Sequence, residues 1–586
     1  MQQHTQAANT NQPSGIEDTS AFCDATCRTR LAKQLSAHRP YVYWTLEFYD
    51  EANGIKGGGG LGILAADMRR VAERLQVPFV VVTPFYRQTS HTALQGGHQE
   101  QSTTTQTPLE HGYQYIQDTP IHFASHPSAQ LAVFTKQIGS TRLLTISEPN
   151  YGALYAGSTS SDHRLYQQVA LGFGGYNALR LAGVRPSVIQ LNETATVFAA
   201  IARLDELCRG GMNLYEALVY VRKHTIYTNH TLVQAAESSF TAGQCQEYIY
   251  PNISSPSVRL WLEQQCRDGQ LHLSTLAIEL AEAKNGVSRL HSKTAQFTSS
   301  SGRPVRFATV TNGIDMHHWV LPEIMQLYQQ HGVLDACGMP TPDYQAALVR
   351  IPTEAVLACR AAGRTHMNSI LAERRNQYNQ PIYIPPGAIS FDFKRRFAHY
   401  KRPDLLFQDP TKLAQLLDAT DAYYLIAGNA HPHDTPMQER LSALLATIDA
   451  DPILRRRVHY IQDYDETVSR ALAYGSDIAI NIPVVGLEAC GTSWEKDIAN
   501  LKLLISTADG GVADIAPLAC LQVTGRTDIA TRESVFQHMQ QAAMLCRQPS
   551  DYAAAIRRQL TAYLPIISGA RMLRDYLQFI FPHQAA

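Results

Sequence analysis

The chain has no strong excess of either charge and no long apolar run. Its 586 residues carry 50 Lys and Arg against 51 Asp and Glu, which gives a formal net charge of -1. Nucleic acid is therefore excluded as the main partner, because a phosphate backbone needs a basic face. The sequence contains no apolar run of about 18 residues, which is the length that a membrane helix needs. The first residues lack a basic start and an apolar core, so we expect a cytoplasmic protein without a secretory signal.

Cysteine is sparse and scattered along the chain. Cys23 and Cys27 form the one close pair among ten cysteines, and no second pair completes a zinc site. We therefore expect reduced structural thiols and no metal. The composition, with 45% hydrophobic and 17% charged residues, is typical of a globular enzyme, and a chain of this length needs two or more domains.

Two parts of the chain alternate short apolar runs with helical patterns. This alternation predicts an α/β domain over residues 39–330 and a second one over 381–555. Between them, 331–380 is expected to be a helical connection broken by prolines. Residues 1–38 are expected to form a mobile arm, and 556–586 helices that could pack back on the first domain. The expected fold class is α/β, with two doubly wound Rossmann-like domains facing a cleft, where ligands bind at the carboxyl ends of strands.

Individual strands are predicted from the apolar runs. In the first domain these are Tyr41–Trp44, Phe79–Thr83 and Val188–Asn192, and Leu64–Leu75 has helical spacing. In the second domain the predicted strands are Ile382–Ile384, Tyr423–Ile426, His459–Ile461, Ile478–Ile482 and Leu503–Ile505.

The most informative segment is Glu488–Lys496, with the sequence E-A-C-G-T-S-W-E-K, followed by Asp509 and Gly510. It places a carboxylate, small residues with accessible N–H groups, a hydroxyl and one lysine within nine residues. A lysine beside such a turn can form a Schiff base with an aldehyde cofactor. Small residues and a threonine hydroxyl can bind that cofactor's phosphate.

Two other segments could bind anions. Glycines in Gly57–Gly62 would let the backbone approach an anion and present N–H groups at a helix start, although glycine runs also occur in plain loops. Lys394–Arg402 carries five Lys and Arg in nine residues, interleaved with aromatics. Such a run is usually a solvated face, but arginine can also grip a phosphate bidentately while lysine supplies a point charge.

These segments resemble motifs of the glycogen/α-glucan (maltodextrin) phosphorylase family, closest to its shorter bacterial members. Glu488–Lys496 resembles E-A-S/C-G-T-x-x-x-K, and Lys394–Arg402 resembles K/R-R-x-x-x-Y-K-R. Gly57–Gly62, preceded by Glu47 and Phe48, resembles E-F-…-G-G-L-G-x-L-A.

Two further sets of sequence segments complete the resemblance, which spans about residues 41–515. Leu154–Glu193 resembles L-Y-G-G … R-L … L-G-x-G-G … L-N-E/D. The segments Tyr227–Thr231, Asn285–Ser292 and Val310–Ile314, with Trp319 after them, resemble Y/F-T-N/T-H-T, N-G-V-x-x-L/I-H-S and T-N-G-I/V. Turn formation by Asn-Gly is an alternative reading for the last two.

The resemblance implies a role for each matching residue. Lys496 would carry pyridoxal 5'-phosphate as a Schiff base, and Arg396 and Lys401 would hold the reacting phosphate. Other cofactor contacts are implied for Arg395, Thr492, Ser493, Gly60 and Tyr464. Substrate contacts are implied for Gly60, Leu61, Asn312, Tyr400, Glu488, Cys490 and Gly491.

The resemblance also implies an architecture and an activity. The architecture is that of GT-B glycosyltransferases, and the activity is phosphate-dependent, retaining cleavage of α-1,4-glucan ends. The implied partners are an α-glucan or maltodextrin, inorganic phosphate and the product glucose 1-phosphate. Family members are often dimers, so a homodimer is an option.

The sequence departs from the family pattern at Ala195, where the family has a histidine that contacts the sugar's 6-hydroxyl. Alanine cannot hydrogen-bond there. Two other functions therefore stay open. A GT-B transferase using a nucleotide sugar would leave Lys496 without a purpose, whereas Ala195 is the best support for a catalytically silent, glucan-binding homologue.

Overall fold

The computed structural model describes residues 34–57, 59–152, 161–231, 238–294, 297–299, 301–431 and 434–580. Gly58, the motif segment 154–157 and most of the predicted arm 1–38 lie outside these residues. No helix in the described ranges is long and apolar enough to cross a membrane.

The strands up to residue 309 are β1 (Tyr41–Thr45), β2 (Phe48–Asp50), β3 (Ile55–Gly57), β4 (Phe79–Pro84), β5 (Gln88–Gln95), β6 (His98–Thr105), β7 (Gln114–Ile121), β8 (Ala129–Ile138), β9 (Thr141–Ser147), β10 (Val188–Asn192), β11 (Thr225–Asn229), β12 (Ser239–Thr241), β13 (Gln270–His272), β14 (Ala283–Gly286), β15 (Phe297–Thr298), β16 (Pro304–Val305) and β17 (Ala308–Thr309). Nine of these form a sheet in the order β17-β14-β11-β10-β1-β4-β9-β8-β7. Its strands run parallel from β17 to β9, and β8 and β7 add an antiparallel edge. Apolar side chains cover both faces of its central strands, which explains why β1 and β4 appear as continuous apolar runs.

The later strands are β18 (Ile389–Lys394), β19 (Ala422–Ala427), β20 (Val458–Ile461), β21 (Ile478–Asn481), β22 (Leu503–Thr507) and β23 (Leu521–Val523). They form a wholly parallel sheet in the order β20-β19-β18-β21-β22-β23. The order reverses direction between β18 and β21, which is where open α/β sheets bind ligands. The predicted α/β fold class with two doubly wound sheets is confirmed.

The helices are α1 (Gly60–Arg74), α2 (Ser161–Val169), α3 (Gly175–Leu181), α4 (Phe198–Arg209), α5 (Leu214–Lys223), α6 (Ala242–Gln244), α7 (Pro256–Glu263), α8 (Leu273–Leu280), α9 (Arg289–Thr294), α10 (Met316–Trp319), α11 (Pro322–Gln330), α12 (Tyr344–Arg350), α13 (Thr353–Leu371), α14 (Pro410–Ala419), α15 (Thr435–Ala450), α16 (Pro452–Arg457), α17 (Glu466–Gly475), α18 (Ser493–Ala499), α19 (Asp528–Cys546), α20 (Pro549–Ile567) and α21 (Gly569–Ile580).

The last helix returns to the first sheet. Between α20 and α21 the backbone pairs with Ile314, which accepts from Gly569 N–H at 2.8 Å and donates to Ile567 O at 2.8 Å. From there α21 buries Met572, Leu573 and other apolar residues in the core that covers β1 and β4. The C-terminal helices thus tie the two sheets together.

One predicted strand was wrong. Ile382 and Ile384 are buried and Tyr383 is exposed, but the segment is not a strand, and the first strand of the second sheet is β18 instead. The backbone N–H and C=O of Ile384 both bond to the side chain of Asn368, at 3.0 and 2.9 Å. Because these groups are satisfied by a helix side chain, the segment has no need of a neighbouring strand.

Candidate active site

A cluster of cations meets one carboxylate at the switch point of the second sheet. Arg395 follows the end of β18, and Glu488 follows β21. Arg395 Nη1 lies 3.4 Å from Glu488 Oε2, and Lys401 Nζ lies 3.2 Å from the same oxygen. Burial alone would raise the pKa of Glu488, but the charges of Lys401 and Arg395 outweigh it and hold the pKa below its usual value. Glu488 is therefore ionised, and the cluster keeps an excess of positive charge.

Tyr400 and Arg396 extend this cluster toward solvent. Burial and then the charge of Glu488 raise the pKa of Tyr400, while Arg396 and Arg395 oppose the rise. Arg396 is exposed and lines a cavity of about 340 Å³ with Phe397, Ala398, His431 and Asp434. Because Arg396 is exposed and Arg395 is buried, the two arginines of this turn lie at different depths.

The loop that carries Glu488 is fixed by Asp509. Its carboxylate accepts from the backbone N–H groups of Glu488 at 2.9 Å and Gly486 at 3.0 Å. Gly491 closes the loop against Glu488: a β-carbon there would lie 3.2 Å from the Glu488 Cδ. A side chain at this position would crowd the carboxylate, so glycine keeps the backbone close to it.

The first sheet holds the same loop from the other side. Asn312 Nδ2 donates to Cys490 O at 3.0 Å, and Ser288 Oγ donates to Ala489 O at 2.6 Å. Asn312 Oδ1 is buried and accepts no hydrogen bond from the described part of the chain. Buried acceptors normally have a donor, so this atom is suited to a ligand hydroxyl or water.

Lys496 lies on α18 with only 4% of its surface exposed. Its Nζ is 3.2 Å from the centroid of the Trp319 ring, and no carboxylate of the described residues pairs with it. Burial lowers its pKa to about 8, although Asp67 and Glu466 oppose the shift. The amine is thus much closer to its neutral, nucleophilic form than an ordinary lysine.

Trp319 and Asn500 hold Lys496 in place. Asp67 on α1 accepts from Trp319 Nε1 with both carboxylate oxygens, each at 2.9 Å. Asn500 donates from Nδ2 to Lys496 O at 2.8 Å and to Trp319 O at 2.7 Å. The ring and the lysine backbone therefore share one rigid support that joins the two sheets.

The two residues before Lys496, Trp494 and Glu495, are large, and neither places an ionised group beside the lysine. Trp494 is 2% exposed and packs edge-on against Tyr563. Glu495 is fully buried, and burial raises its pKa well above its usual range, which favours the neutral acid. Its Oε1 lies 3.7 Å from Cys490 Sγ.

Below the site lie four buried charges, here called the lysine–aspartate tetrad (Asp392, Lys394, Asp497 and Lys502). Lys502 Nζ lies 2.6 Å from Asp392 Oδ1 and 2.6 Å from Asp497 Oδ1. Lys394 pairs with Asp392 at 3.0 Å and also with Asp497. All four side chains are at most 4% exposed. Since Lys394 precedes Arg395 and Asp497 follows Lys496, the tetrad connects the backbone of the cation cluster to that of Lys496.

At the carboxyl ends of the first sheet, the half-buried His230 and the buried His291 bond to asparagines. His230 Nε2 lies 2.7 Å from Asn192 Oδ1, and His291 Nε2 lies 2.9 Å from Asn229 Oδ1. Burial lowers the pKa of His230 to about 3 and that of His291 to about 4, so both rings are neutral near pH 7. Ala195 is half-buried on the turn after β10, three residues beyond Asn192.

The remaining predicted residues begin helices or flank the tetrad. Gly60 and Leu61 start α1, and Gly59 N–H donates to Glu47 Oε2 at 2.9 Å. Thr492 immediately precedes α18 and Ser493 is its first residue. Tyr464 donates to Lys394 O at 3.4 Å.

The motifs did not indicate the tetrad, Asp67 or Glu466. The charged residues on either side of Arg395 and Lys496 were the only signal in the sequence for the tetrad.

Comparison with known proteins gives the following matches. The model of the carbohydrate phosphorylase family matches residues 254–520. A maltodextrin phosphorylase of Thermococcus litoralis is 26% identical, over 80% of this chain and 60% of that protein. A glycogen phosphorylase of Mycobacterium tuberculosis is 25% identical, over 92% of this chain and 70% of that protein. A glycogen phosphorylase of Aquifex aeolicus is 22% identical, over 92% of this chain and 85% of that protein.

These matches confirm the resemblance predicted from the motifs. The alignment with the Thermococcus protein leaves about two fifths of that relative uncovered, since the chain spans 60% of its length.

Proposed function

We propose that this protein is an α-glucan phosphorylase, which cleaves the end of an α-1,4-glucan with inorganic phosphate and releases glucose 1-phosphate with retention. The observation that carries the proposal is Lys496, a buried lysine without an ion pair among the described residues, held over Trp319. The cation cluster around Glu488 lies on the same loop system. A nucleotide-sugar transferase has no evident need for such a lysine.

The residues around Lys496 fit pyridoxal 5'-phosphate. An amine whose pKa is about 8 is suited to covalent attachment to the aldehyde. Thr492 and Ser493 at the start of α18 and the buried guanidinium of Arg395 are suitable groups for the cofactor's phosphate. When bound, the cofactor would supply a phosphate group that can act as an acid toward the substrate's phosphate.

In the proposed reaction, Arg396 and Lys401 bind and orient the reacting phosphate. A cofactor phosphate and a substrate phosphate held in one site would repel each other, by roughly 3 kcal/mol per pair of unit charges if they were about 5 Å apart at an effective dielectric of about 20. Arg395, Arg396 and Lys401 supply the cations that offset this repulsion. Lys401 is shared with Glu488, so an incoming phosphate can take over part of an existing ion pair instead of meeting a fully solvated lysine.

Sugar recognition is proposed for Glu488 and Asn312. The ionised Glu488 carboxylate accepts from a sugar hydroxyl, and the unsatisfied Asn312 Oδ1 accepts from another. Their loops face each other from the two sheets and are bonded through Cys490 O. Closing the two domains on a glucan end would exclude water, which directs transfer to phosphate over hydrolysis.

The attachment of the cofactor should depend on pH through Lys496. With a pKa of about 8, roughly a tenth of the amine is neutral at pH 7 and about nine tenths at pH 9. We expect the rate at which the cofactor-free protein is trapped by pyridoxal phosphate and borohydride to rise about tenfold over this range and then level off. A lysine of ordinary pKa would give a rate that continues to rise above pH 9, and that profile would contradict the assignment.

Ala195 should weaken recognition of the sugar's 6-hydroxyl. A histidine at this position could supply the missing hydrogen bond, so Ala195→His should raise kcat/KM for glucose 1-phosphate in the synthesis direction by about tenfold. The 6-deoxy analogue is the control, because it has no 6-hydroxyl and its kinetics should not change. Equal kinetics of both proteins with glucose 1-phosphate would count against this explanation.

The proposed cofactor is tested by the near-ultraviolet and visible spectrum of the purified protein. A pyridoxal band fixed by borohydride and absent from Lys496→Ala supports the phosphorylase. The absence of a band after pyridoxal phosphate is added would favour the nucleotide-sugar transferase or the silent homologue. Those two differ in turnover, since only the transferase would be active with a nucleotide sugar.

A further inference from the structure

A second cavity lies on the edge of the first sheet opposite the candidate active site. It has a volume of about 520 Å³ and is here called the basal pocket. Its lining includes Lys223 at the end of α5, Lys284 on β14, Arg306 before β17, Glu282 and Phe579 of α21. β14 begins at Ala283 in this pocket, whereas its carboxyl end, Gly286, leads to the loop that contacts Ala489. The two sites are therefore at opposite ends of the same strand.

The basal pocket has an excess of positive charge. Three cationic side chains and one carboxylate line it, which leaves two formal positive charges. Within the described ranges, Lys223, Lys284 and Arg306 take part in no ion pair. Lys284 Nζ donates only to carbonyl oxygens, those of Ala281 at 2.5 Å and Glu282 at 3.1 Å. Unpaired cations that line one cavity repel one another, so an anion in the cavity would offset that cost.

Lys284 is the deepest of the three cations. It is partly buried, and burial lowers its pKa even though Glu279 and Glu282 oppose the shift. A partly desolvated ammonium binds an anion more strongly than one fully in water. Lys223 and Arg306 are exposed at the rim and can reach the same anion from two other elements.

Phe579 gives the basal pocket an apolar wall. Its side chain is partly buried and packs, like Ala283, on the core that covers β1 and β4. A ring fixed in this way can contact an aromatic or apolar group of a ligand while the cations bind its charged end. The volume is within the range of sites for small molecules.

We propose that the basal pocket binds a small phosphate monoester with an attached aromatic or apolar group. Its phosphate pairs with Lys223, Lys284 and Arg306, and the attached group packs on Phe579. This site is separate from the cleft, and its occupation does not depend on the proposed phosphorolysis.

Isothermal titration with phenyl phosphate tests the proposal. The background protein carries Arg396→Gln and Lys401→Gln, which remove the phosphate-binding cations proposed for the cleft. We expect this protein to bind one phenyl phosphate. Adding Lys223→Gln and Arg306→Gln should weaken binding at least about tenfold. Phe579→Leu should weaken binding of phenyl phosphate but not of orthophosphate.

The matched control adds Lys293→Gln and Arg303→Gln, which remove the same charges from exposed positions in the same region. These changes should leave the affinity within about twofold, because general attraction to a basic surface contributes little at physiological salt. The proposal is overturned if the background protein does not bind phenyl phosphate, or if the basal substitutions have no larger effect than the control. Both readouts are binding heats, so they remain valid if the protein proves to lack phosphorylase activity.

Discussion

Replacing Lys496 with methionine is expected to lower phosphorolysis by at least about a thousandfold while making the cofactor-free protein more stable. Methionine keeps the buried volume but removes the amine that is proposed to attach the cofactor. The stability gain should be about 1–2 kcal/mol at pH 7, because burial of the lysine charge costs more than its contact with the Trp319 ring returns.

The sign of this gain follows from the pKa shift. In the folded protein the pKa of Lys496 is about 8, below its value of about 10.4 in an unfolded chain. The unfolded state therefore binds more protons between these values, and the stability of the original protein rises with pH there. The advantage of the methionine variant should shrink from pH 8 to pH 10. Urea unfolding at pH 7 and pH 10 measures the difference in the free energy of unfolding between the two proteins. A methionine variant that is less stable than the original protein at pH 7 would contradict the account.

Breaking the lysine–aspartate tetrad is expected to give the largest loss of stability. Asp497→Ala leaves Lys394 and Lys502 buried with a single carboxylate, Asp392, between them. Removing one partner of a buried ion pair costs about 3–5 kcal/mol, because the remaining charge cannot regain its water. We expect a loss of that size in the free energy of unfolding, measured in urea at pH 7.

The control for the tetrad is an exposed pair. Arg455 lies 3.6 Å from Asp449, with exposed fractions of 52% and 67%. Asp449→Ala should cost no more than about 1 kcal/mol, because solvent screens such pairs. If Asp497→Ala is no more damaging than Asp449→Ala, the tetrad does not connect β18 to α18 as described. Asp497→Asn keeps the shape of the side chain and should fall between the two.

The sheet strands were predictable where both faces are buried. Phe79–Pro84, Val188–Asn192 and Ala422–Ala427 are continuous apolar runs, and each forms a parallel strand near its predicted position. Ile382–Ile384 has the same composition but bonds to Asn368, a partner that no local pattern indicates. A run of apolar residues indicates burial. It does not distinguish a strand from another segment whose backbone groups are hydrogen-bonded to a side chain.

The hairpin β5–β6 was missed for the opposite reason. Its strands are mostly polar and exposed, so they have no apolar face to detect. It is stabilised by contacts with the second domain, where Thr92 N–H donates to Asp463 at 3.1 Å and Leu94 N–H to Gln462 at 2.8 Å. Contacts between residues about 370 positions apart leave no local signature.

The site shows the same limit. Motif spacing indicated Lys496, Glu488 and the basic turn, because those residues lie within short segments. The tetrad pairs Lys394 with Asp497, 103 positions away. Lys394 begins the basic segment, but its partners Asp392 and Asp497 belong to no motif. Leu501, just after α18, has a left-handed backbone with φ of 62° although it is not a glycine. The backbone of this turn is thus maintained without the residue that normally favours it.

The most direct test is release of glucose 1-phosphate from maltoheptaose by protein loaded with pyridoxal phosphate, with and without inorganic phosphate. Lys496→Met and Arg396→Gln are assayed beside it. The account predicts phosphate-dependent glucose 1-phosphate from the original protein, none from Lys496→Met, and a rate for Arg396→Gln reduced by about a hundredfold or more. Equal release by the original protein and Lys496→Met, or no release by any of them in phosphate, would contradict it.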